Sequence, residues 1–248
     1  MEELGIESEG LAFARRIFED IGSITKDASA GYTREGYSPV ENLVHEYFKG
    51  IGAQLGLEQR TDAAGNLYLT CPGERRELPA FVSGSHADSV PQGGDYDGIA
   101  GIAAALTVAW WMRRRGLRPL RDFTVLVTRL ESSAFYGKAY VGSLAMTGRL
   151  RPEDLALRHR TKSLTLGEAI RLAGFDPAAM VTGRPLVDLS RFAAFVELHI
   201  EQGPKLDANP VKRIGIVTGV RGNLRHKRIA CIGETAHSGA VDFEFRHD

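Results

Sequence analysis

Residues 84–98 read Gly84-Ser85-His86-Ala87-Asp88-Ser89-Val90-Pro91-Gln92-Gly93-Gly94-Asp95-Tyr96-Asp97-Gly98, a glycine-rich turn with an imidazole and several carboxylates on either side of it. The apolar run before this stretch, residues 80–84, predicts a strand, and the apolar run after it, residues 99–115, predicts a buried helix. A second strand is predicted over residues 123–130, so that the three elements form a βαβ unit. We therefore predict an α/β fold in which helices flank a mixed sheet.

Several side chains near this turn have the chemistry of metal ligands. His86 and Asp88 follow the predicted strand, and the period of two along an extended chain places both on one face, where Asp88 can orient the ring of His86. Asp97 lies just before the predicted helix, and the N–H groups of a helix N-terminus keep a carboxylate there ionised. The stretch taken alone is also compatible with a polar turn whose histidine and aspartates are only solvated.

Two further predicted strands end in candidate ligands. Residues 124–131 end in Glu131, and the strand-like stretch that starts at Phe195 leads to His199. Because the strands of an α/β sheet bind ligands at their carboxyl ends, we expect these side chains to converge on one site. Imidazole and carboxylate ligands without a nearby cysteine favour zinc, as one or two ions, and they also suit manganese, cobalt or nickel.

The composition of the chain limits its partners. The 248 residues include 31 basic and 31 acidic side chains, so the formal net charge is zero and no overall field attracts nucleic acid or an anionic membrane. We therefore expect a small-molecule substrate, with neither nucleic acid nor membrane as partner. Cys71 and Cys231 form no paired-cysteine motif, and the acidic N-terminus lacks the features of a signal peptide, which together predict a cytoplasmic protein with reduced thiols.

Two domains are expected. Helical periodicity predicts two amphipathic helices, over residues 11–24 and 39–55, ahead of the βαβ unit. From Ile214 onward the residues become β-branched and alternate in polarity, which indicates the beginning of another domain. We place the N-terminal part of a catalytic domain at residues 1–210 and an incomplete second domain at residues 211–248. A second domain of that length cannot close its own core, so we expect a fragment, a truncated product, or a chain completed by association.

Five motifs are spread over most of the chain: Gly31-Tyr32-Thr33-Arg34, Asp62-Ala63-Ala64-Gly65-Asn66-Leu67, the stretch 84–98, Glu197-Leu198-His199-Ile200-Glu201-Gln202-Gly203-Pro204 and Gly233-Glu234-Thr235-Ala236-His237-Ser238-Gly239. In this order they resemble the zinc-dependent amidase family of N-carbamoyl-L-amino-acid amidohydrolases, allantoate amidohydrolases and β-ureidopropionases, relatives of the aminoacylase and carboxypeptidase-G type of binuclear metallopeptidases. The resemblance implies a zinc-exopeptidase-like catalytic domain, followed by an α+β lid domain through which two identical subunits dimerise.

The resemblance also implies a role for each candidate ligand. Asp97 would bridge two metal ions, and His86 and His199 would complete the protein ligands of one of them. Glu131 would contribute to the other ion, whose remaining histidine lies, in the family, beyond the last residue of this chain. Asp88 and Glu131 are the residues to which we assign catalytic roles.

Two more residues match positions that touch the substrate in the family. Gln202 is implied to hydrogen-bond the substrate, and it is also compatible with a buried amide that serves the end of a strand. His237 is similar to the lid histidine that reaches the substrate in the family's dimers, where it would stabilise the tetrahedral oxyanion. A surface histidine is the alternative interpretation of His237.

The chain departs from the family at the general base. The family usually has a Glu-Glu pair where this chain has Leu130-Glu131, and the first glutamate of that pair takes a proton from the attacking water. Leucine cannot accept a proton, whereas a positioned general base typically adds roughly 10²–10⁴-fold in rate.

The leading hypothesis is therefore a metal-dependent amidohydrolase of linear amide or ureido C–N bonds, acting on an N-carbamoyl amino acid or an allantoate-type substrate. The alternative is a truncated, catalytically impaired homologue that keeps a metal-binding, ligand-binding or assembly role. Leu130 and the missing distal histidine favour this alternative. A nucleic-acid-binding role is a third hypothesis, and it lacks any basic stripe or stacking motif.

Overall fold

The protein is described here from a computed structural model, in which residues 2–211, 214–219, 230, 233 and 244 are described. The chain divides into two compact units, Met1–Ile200 and Glu201–Asp248. The predicted domain boundary between residues 210 and 211 stays a prediction, since compact units are not in themselves folding domains. Of the β-rich stretch that starts at Ile214, residues 214–219 form no strand, and most of the remainder lies outside the described residues.

A five-stranded sheet forms the centre of the first unit, with the strand order β1-β2-β4-β3-β5. The strand β3 pairs in parallel with both β4 and β5, whereas β2 pairs antiparallel with β1 and β4. The sheet is therefore mixed, and the predicted fold class is confirmed. The strands are β1 Glu58–Thr61, β2 Leu67–Cys71, β3 Ala80–His86, β4 Phe123–Thr128 and β5 Phe192–Val196.

The predicted βαβ unit is present as β3, the helix α3 Ile99–Arg114 and β4. The two strands approach closely at Gly84, where an added Cβ would lie 1.9 Å from the carbonyl oxygen of Leu126. Any other residue at this position would push the strands apart, so the glycine allows β3 to continue to His86.

One face of the sheet is covered by three helices, α3 together with α1 Glu2–Thr25 and α2 Pro39–Gln54. Alternate residues of β4, Val125 and Val127, pack against these helices in the main hydrophobic cluster, because successive side chains of a strand point to opposite faces. The N-cap of α2 is Ser38, whose side chain accepts from the backbone N–H of Glu41. Both predicted opening helices are confirmed, and the first begins earlier than predicted.

A second hydrophobic cluster lies under the segment that connects β4 to β5. This segment forms the short helices α4 Val141–Met146, α5 Leu166–Leu172 and α6 Pro177–Met180. A capping box starts α5, in which Thr165 and Glu168 each bond the other's backbone N–H. The segment returns the chain to the sheet edge at β5, where Phe195 and Val196 are 48% and 51% exposed. Among the described helices, none has the length and apolar character needed to cross a membrane.

Candidate metal centre

Three predicted ligands meet at one point of the first unit, and we call them the His–Asp–His cluster: His86, Asp97 and His199. One ligand atom from each residue lies within 4.8 Å of the others. The Oδ1 atom of Asp97 is 3.7 Å from Nε2 of His86 and 3.4 Å from Nε2 of His199. The two Nε2 atoms are 3.4 Å apart. Two imidazoles and a carboxylate that converge in this way can each give one ligand atom to a divalent ion.

The sheet explains this convergence. His86 is the last residue of β3, and His199 follows β5, which is the parallel neighbour of β3. Parallel neighbours end at the same edge of a sheet, as the sequence predicted. The turn before α3 brings Asp97 back to this edge through Gly98, whose φ is 70° and whose added Cβ would lie 2.2 Å from the carbonyl oxygen of His86. Only glycine fits both requirements.

Asp88 orients the ring of His86 through two contacts. The Nδ1 atom of His86 lies 3.0 Å from the backbone carbonyl oxygen of Asp88 and 3.4 Å from its carboxylate Oδ1. A proton on Nδ1 then leaves the lone pair of Nε2 directed at the cluster. Burial lowers the pKa of His86, but the hydrogen bond to Asp88 and the nearby carboxylates outweigh it and raise the pKa to about 9.

The same Asp88 carboxylate holds the loop that carries Glu131. It accepts from the backbone N–H groups of Glu131, at 2.7 Å, and of Ser132, at 2.9 Å. The Glu131 side chain lines the same cavity as His86 and His199, outside the three-residue cluster. Burial raises the pKa of Glu131, the carboxylates of Asp88 and Asp97 add to the rise, and the two histidines oppose it. The structure thus places Glu131 beside the cluster, and its ligand and catalytic roles stay predictions.

Leu130, which the sequence analysis predicts to stand at a general-base position, is wholly buried in the second hydrophobic cluster. Its backbone has a φ of 43°, which is rare for a residue with a branched side chain. Its N–H donates to Oε1 of Glu41 at 3.0 Å. Leu130 therefore has a packing role in addition to lacking a basic group, because its side chain is part of the hydrophobic core. A glutamate at this position with the same backbone would bury its carboxylate among apolar side chains.

A buried ion pair fixes this backbone. Arg129 donates to Oε2 of Glu41 at 2.9 Å and to the carbonyl oxygen of Gly65 at 3.0 Å. The Glu41 carboxylate also accepts from the N–H of Tyr37 at 2.7 Å. Burial raises the pKa of Glu41, and Arg129 opposes that rise. The loop that carries Glu131 is thus held by two buried carboxylates, that of Glu41 at Leu130 and that of Asp88 at Glu131 and Ser132.

A cavity of about 500 Å³ opens beside the cluster. Its lining includes two residues that the sequence analysis missed, Ser85 and Glu197, and the Ser85 hydroxyl donates to the Glu197 carboxylate. Glu197 lies two residues before His199, so the period of an extended chain would have predicted it on the same side. The apolar part of the lining consists mainly of Leu126, Met146, Leu189, Phe192 and Phe195.

The two predicted substrate-binding residues lie outside the first unit. Gln202 belongs to the second unit and has a φ of 55°. His237 lies outside the described residues. Their roles stay predictions.

Relatives with known names align with nearly the whole chain. Ureidoglycolate hydrolase from Oryza sativa subsp. japonica is 32% identical over 247 residues, which are 98% of this chain and 49% of the relative. Allantoate amidohydrolase from Escherichia coli (strain K12) is 32% identical over 228 residues, 92% of this chain and 54% of the relative. N-carbamoyl-L-amino acid amidohydrolase from Geobacillus stearothermophilus is 32% identical over 242 residues, 97% of this chain and 57% of the relative.

Solved structures of named hydrolases and amidases are also similar to this chain. The crystal structure of AtUAH in complex with glyoxylate matches with a TM-score of 0.70 and 28% identity, over 79% of this chain and 47% of that one. A hydantoinase/carbamoylase family amidase from Burkholderia ambifaria matches with a TM-score of 0.68 and 27% identity, over 79% and 46%. No protein-family model matches the chain. The chain spans about half the length of the curated relatives it matches.

Proposed function

We propose that this chain serves in the metal-dependent hydrolysis of a linear amide or ureido C–N bond. The chain belongs to the amidohydrolase family of allantoate, N-carbamoyl-L-amino-acid and ureidoglycolate hydrolases. The observation that carries the proposal is the His–Asp–His cluster at the sheet edge, beside a cavity large enough for a small substrate.

The donor set of the cluster fits a divalent ion, and we propose zinc, with manganese, cobalt or nickel as substitutes. His86, Asp97 and His199 would hold it. When bound, such an ion polarises the substrate carbonyl and makes water more acidic. Asp88 keeps the ring of His86 in the orientation and tautomer that ligation needs.

Glu131 is the carboxylate that we propose as proton carrier, in place of the role as ligand of a second ion that the family resemblance implies. It lines the cavity, and burial raises its pKa, which makes it a better proton acceptor than an exposed glutamate. In the proposed reaction it accepts a proton from the attacking water and returns it to the departing nitrogen. Because position 130 carries leucine, this chain would depend on Glu131 for a task that the family gives to a neighbouring residue.

The remaining parts of the proposal concern the substrate and the assembly. The substrate would be an N-carbamoyl amino acid or an allantoate-type ureido compound. Gln202 would hydrogen-bond this substrate, and His237 would stabilise the tetrahedral oxyanion formed from it. Dimerisation through the lid domain and a cytoplasmic location complete the proposal.

A second candidate function is a metal-binding homologue without turnover. The residue at position 130 favours it, since the aliphatic side chain of Leu130 cannot accept a proton from water.

The test is to strip the chain with a chelator, reload it with Zn²⁺ or Co²⁺, and measure both bound metal and ammonia release. N-carbamoyl-L-amino acids, allantoate and ureidoglycolate are offered as substrates. His86→Asn should abolish ion binding, whereas His159→Asn, which alters another buried histidine outside the cluster, should not. Binding with turnover supports hydrolysis, and binding without turnover supports the second candidate. An ion that binds equally well to the His86 variant contradicts both.

A further inference from the structure

We propose that Arg34 is a positioning residue for the candidate metal centre, because its guanidinium holds together the two chain segments that carry His86 and Asp97. The inference rests on the proposed metal site. Arg34 is wholly buried. Its Nε atom donates to the carbonyl oxygen of Ala87 at 2.9 Å, and its Nη2 atom donates to that of Asp97 at 2.8 Å.

These two carbonyl groups belong to the ligand segments themselves. Ala87 lies between His86 and Asp88, and Asp97 supplies the carboxylate of the cluster. One planar group therefore bridges the two ends of the turn that joins β3 to α3. Since the N–H donors of a guanidinium have a fixed geometry, Arg34 sets the distance between the two segments.

Arg34 is itself fixed on the same turn. Its backbone N–H donates to the hydroxyl of Ser89 at 3.0 Å, and the backbone N–H of Ser89 donates to the carbonyl oxygen of Arg34 at 2.9 Å. The backbone of Arg34 is thus hydrogen-bonded to the same turn that its guanidinium bridges. A shift of either ligand segment would therefore strain the hydrogen bonds to the other.

The charge of Arg34 adds to this role. It interacts favourably with three carboxylates around the turn, those of Asp95, Asp88 and Asp97. Before an ion binds, the aspartates repel one another, and a buried cation between them offsets that repulsion. Lysine at this position would keep the charge but would lose the fork that reaches two carbonyl groups.

A merely structural arginine would affect stability alone, so the experiment measures affinity for an ion in the folded protein. The 248-residue wild-type chain and its Arg34→Lys variant are stripped of metal and titrated with Co²⁺ against a chelator of known affinity. We expect Arg34→Lys to raise the dissociation constant for Co²⁺ about 10–100-fold, the usual range for residues that support metal ligands. The visible absorption of bound Co²⁺ should also change, since the ligand geometry relaxes.

Arg121→Lys is the matched control, because Arg121 also donates to a backbone carbonyl, that of Pro79, at 3.0 Å, at the opposite end of β3. It should leave the affinity for Co²⁺ unchanged. Equal affinity in Arg34→Lys and wild type would overturn the positioning role while leaving the metal site intact. Failure of the wild-type chain to bind Co²⁺ would overturn the metal site and, with it, this inference.

If Arg34→Lys does not fold, Ser89→Ala takes its place, because it removes the hydroxyl that accepts from the Arg34 N–H and leaves the guanidinium present. Circular dichroism establishes that the variant is folded. We expect a smaller loss of Co²⁺ affinity, several-fold, and an unchanged affinity in that variant would overturn the inference.

Discussion

His86 and His199 face each other across the candidate metal centre, yet the protein holds them very differently. The side chain of His86 is 3% exposed and that of His199 is 33% exposed. The segment of His86 is bound by Asp88 and Arg34, both buried. The His199 ring is instead in contact with a neighbouring carbonyl oxygen, that of Ile200, at 2.8 Å.

The comparison separates a held half of the site from an edge half. The held half, residues 84–98 and 129–132, is fixed by buried hydrogen bonds between distant parts of the chain. The edge half, residues 192–199, includes an edge strand with half-exposed side chains. Segments with few buried contacts open locally at low free-energy cost, so we infer that ion binding orders the edge half more than the held half.

The largest effect should come from breaking the buried ion pair of the held half. Arg129→Met leaves the Glu41 carboxylate buried without its cation, and we expect a loss of about 3–5 kcal/mol in the free energy of unfolding. Urea denaturation measures it. Arg114→Met breaks the exposed pair with Glu9 and should cost no more than about 1 kcal/mol. Similar losses in the two variants would mean that the pair does not hold this loop.

Leu130 gives the next largest effect. Leu130→Ala opens a cavity in the second hydrophobic cluster, and we expect a loss of roughly 2–5 kcal/mol in the free energy of unfolding. Val196→Ala, in the edge half, removes a half-exposed side chain and should cost less than about 1 kcal/mol. Leu130→Glu should destabilise the fold without any gain in turnover. A rise in ammonia release with that variant would show that position 130 can face the cavity.

Hydrogen exchange tests the comparison directly. Excess Co²⁺, at about 100 times its dissociation constant, stabilises the bound protein by at most about 2.7 kcal/mol. We expect the amides of residues 192–199 to gain more protection on ion binding than those of residues 84–98, because the latter are already held. Exchange followed by mass spectrometry reports both segments in one experiment, and an equal gain would remove the distinction between the two halves.

A further effect is a dependence of stability on pH in the metal-free protein. The pKa of His86 is raised from 6.5 to about 9, so its contribution to stability is complete below pH 6.5 and is lost as the pH rises through about 9. The slope cannot exceed that of one proton, roughly 1.4 kcal/mol per pH unit.

Urea midpoints between pH 6 and pH 10 measure this loss, and His86→Asn should reduce it. His45 is the control, because burial holds its pKa well below 6.5 and it therefore opposes folding only as the pH falls below that value. His45→Leu should leave the alkaline loss as it is in the wild type. If the loss of stability persists in the His86 variant, another titratable group causes it.

Much of the site could be predicted from the sequence, because it lies at strand ends. The strand β3 ends at His86 and β5 leads to His199, and parallel pairing brings such ends together. The same argument would also have predicted Glu197. The direction of the Leu130 side chain could not be predicted, since it depends on a carboxylate 89 residues away, that of Glu41. The contact of Arg34 with the Asp97 carbonyl, across 63 residues, likewise could not be predicted from residues that are close along the chain.

The amino-acid sequence by itself determined the βαβ unit, the mixed α/β class and the identity of the candidate ligands, because periodicity and strand ends are properties of residues that are close along the chain. The tertiary structure alone decided which side chains turn toward the cavity and how firmly each is held. Those properties depend on buried hydrogen bonds and packing between residues far apart in the chain, where desolvation makes an unpaired polar group costly and so selects one arrangement.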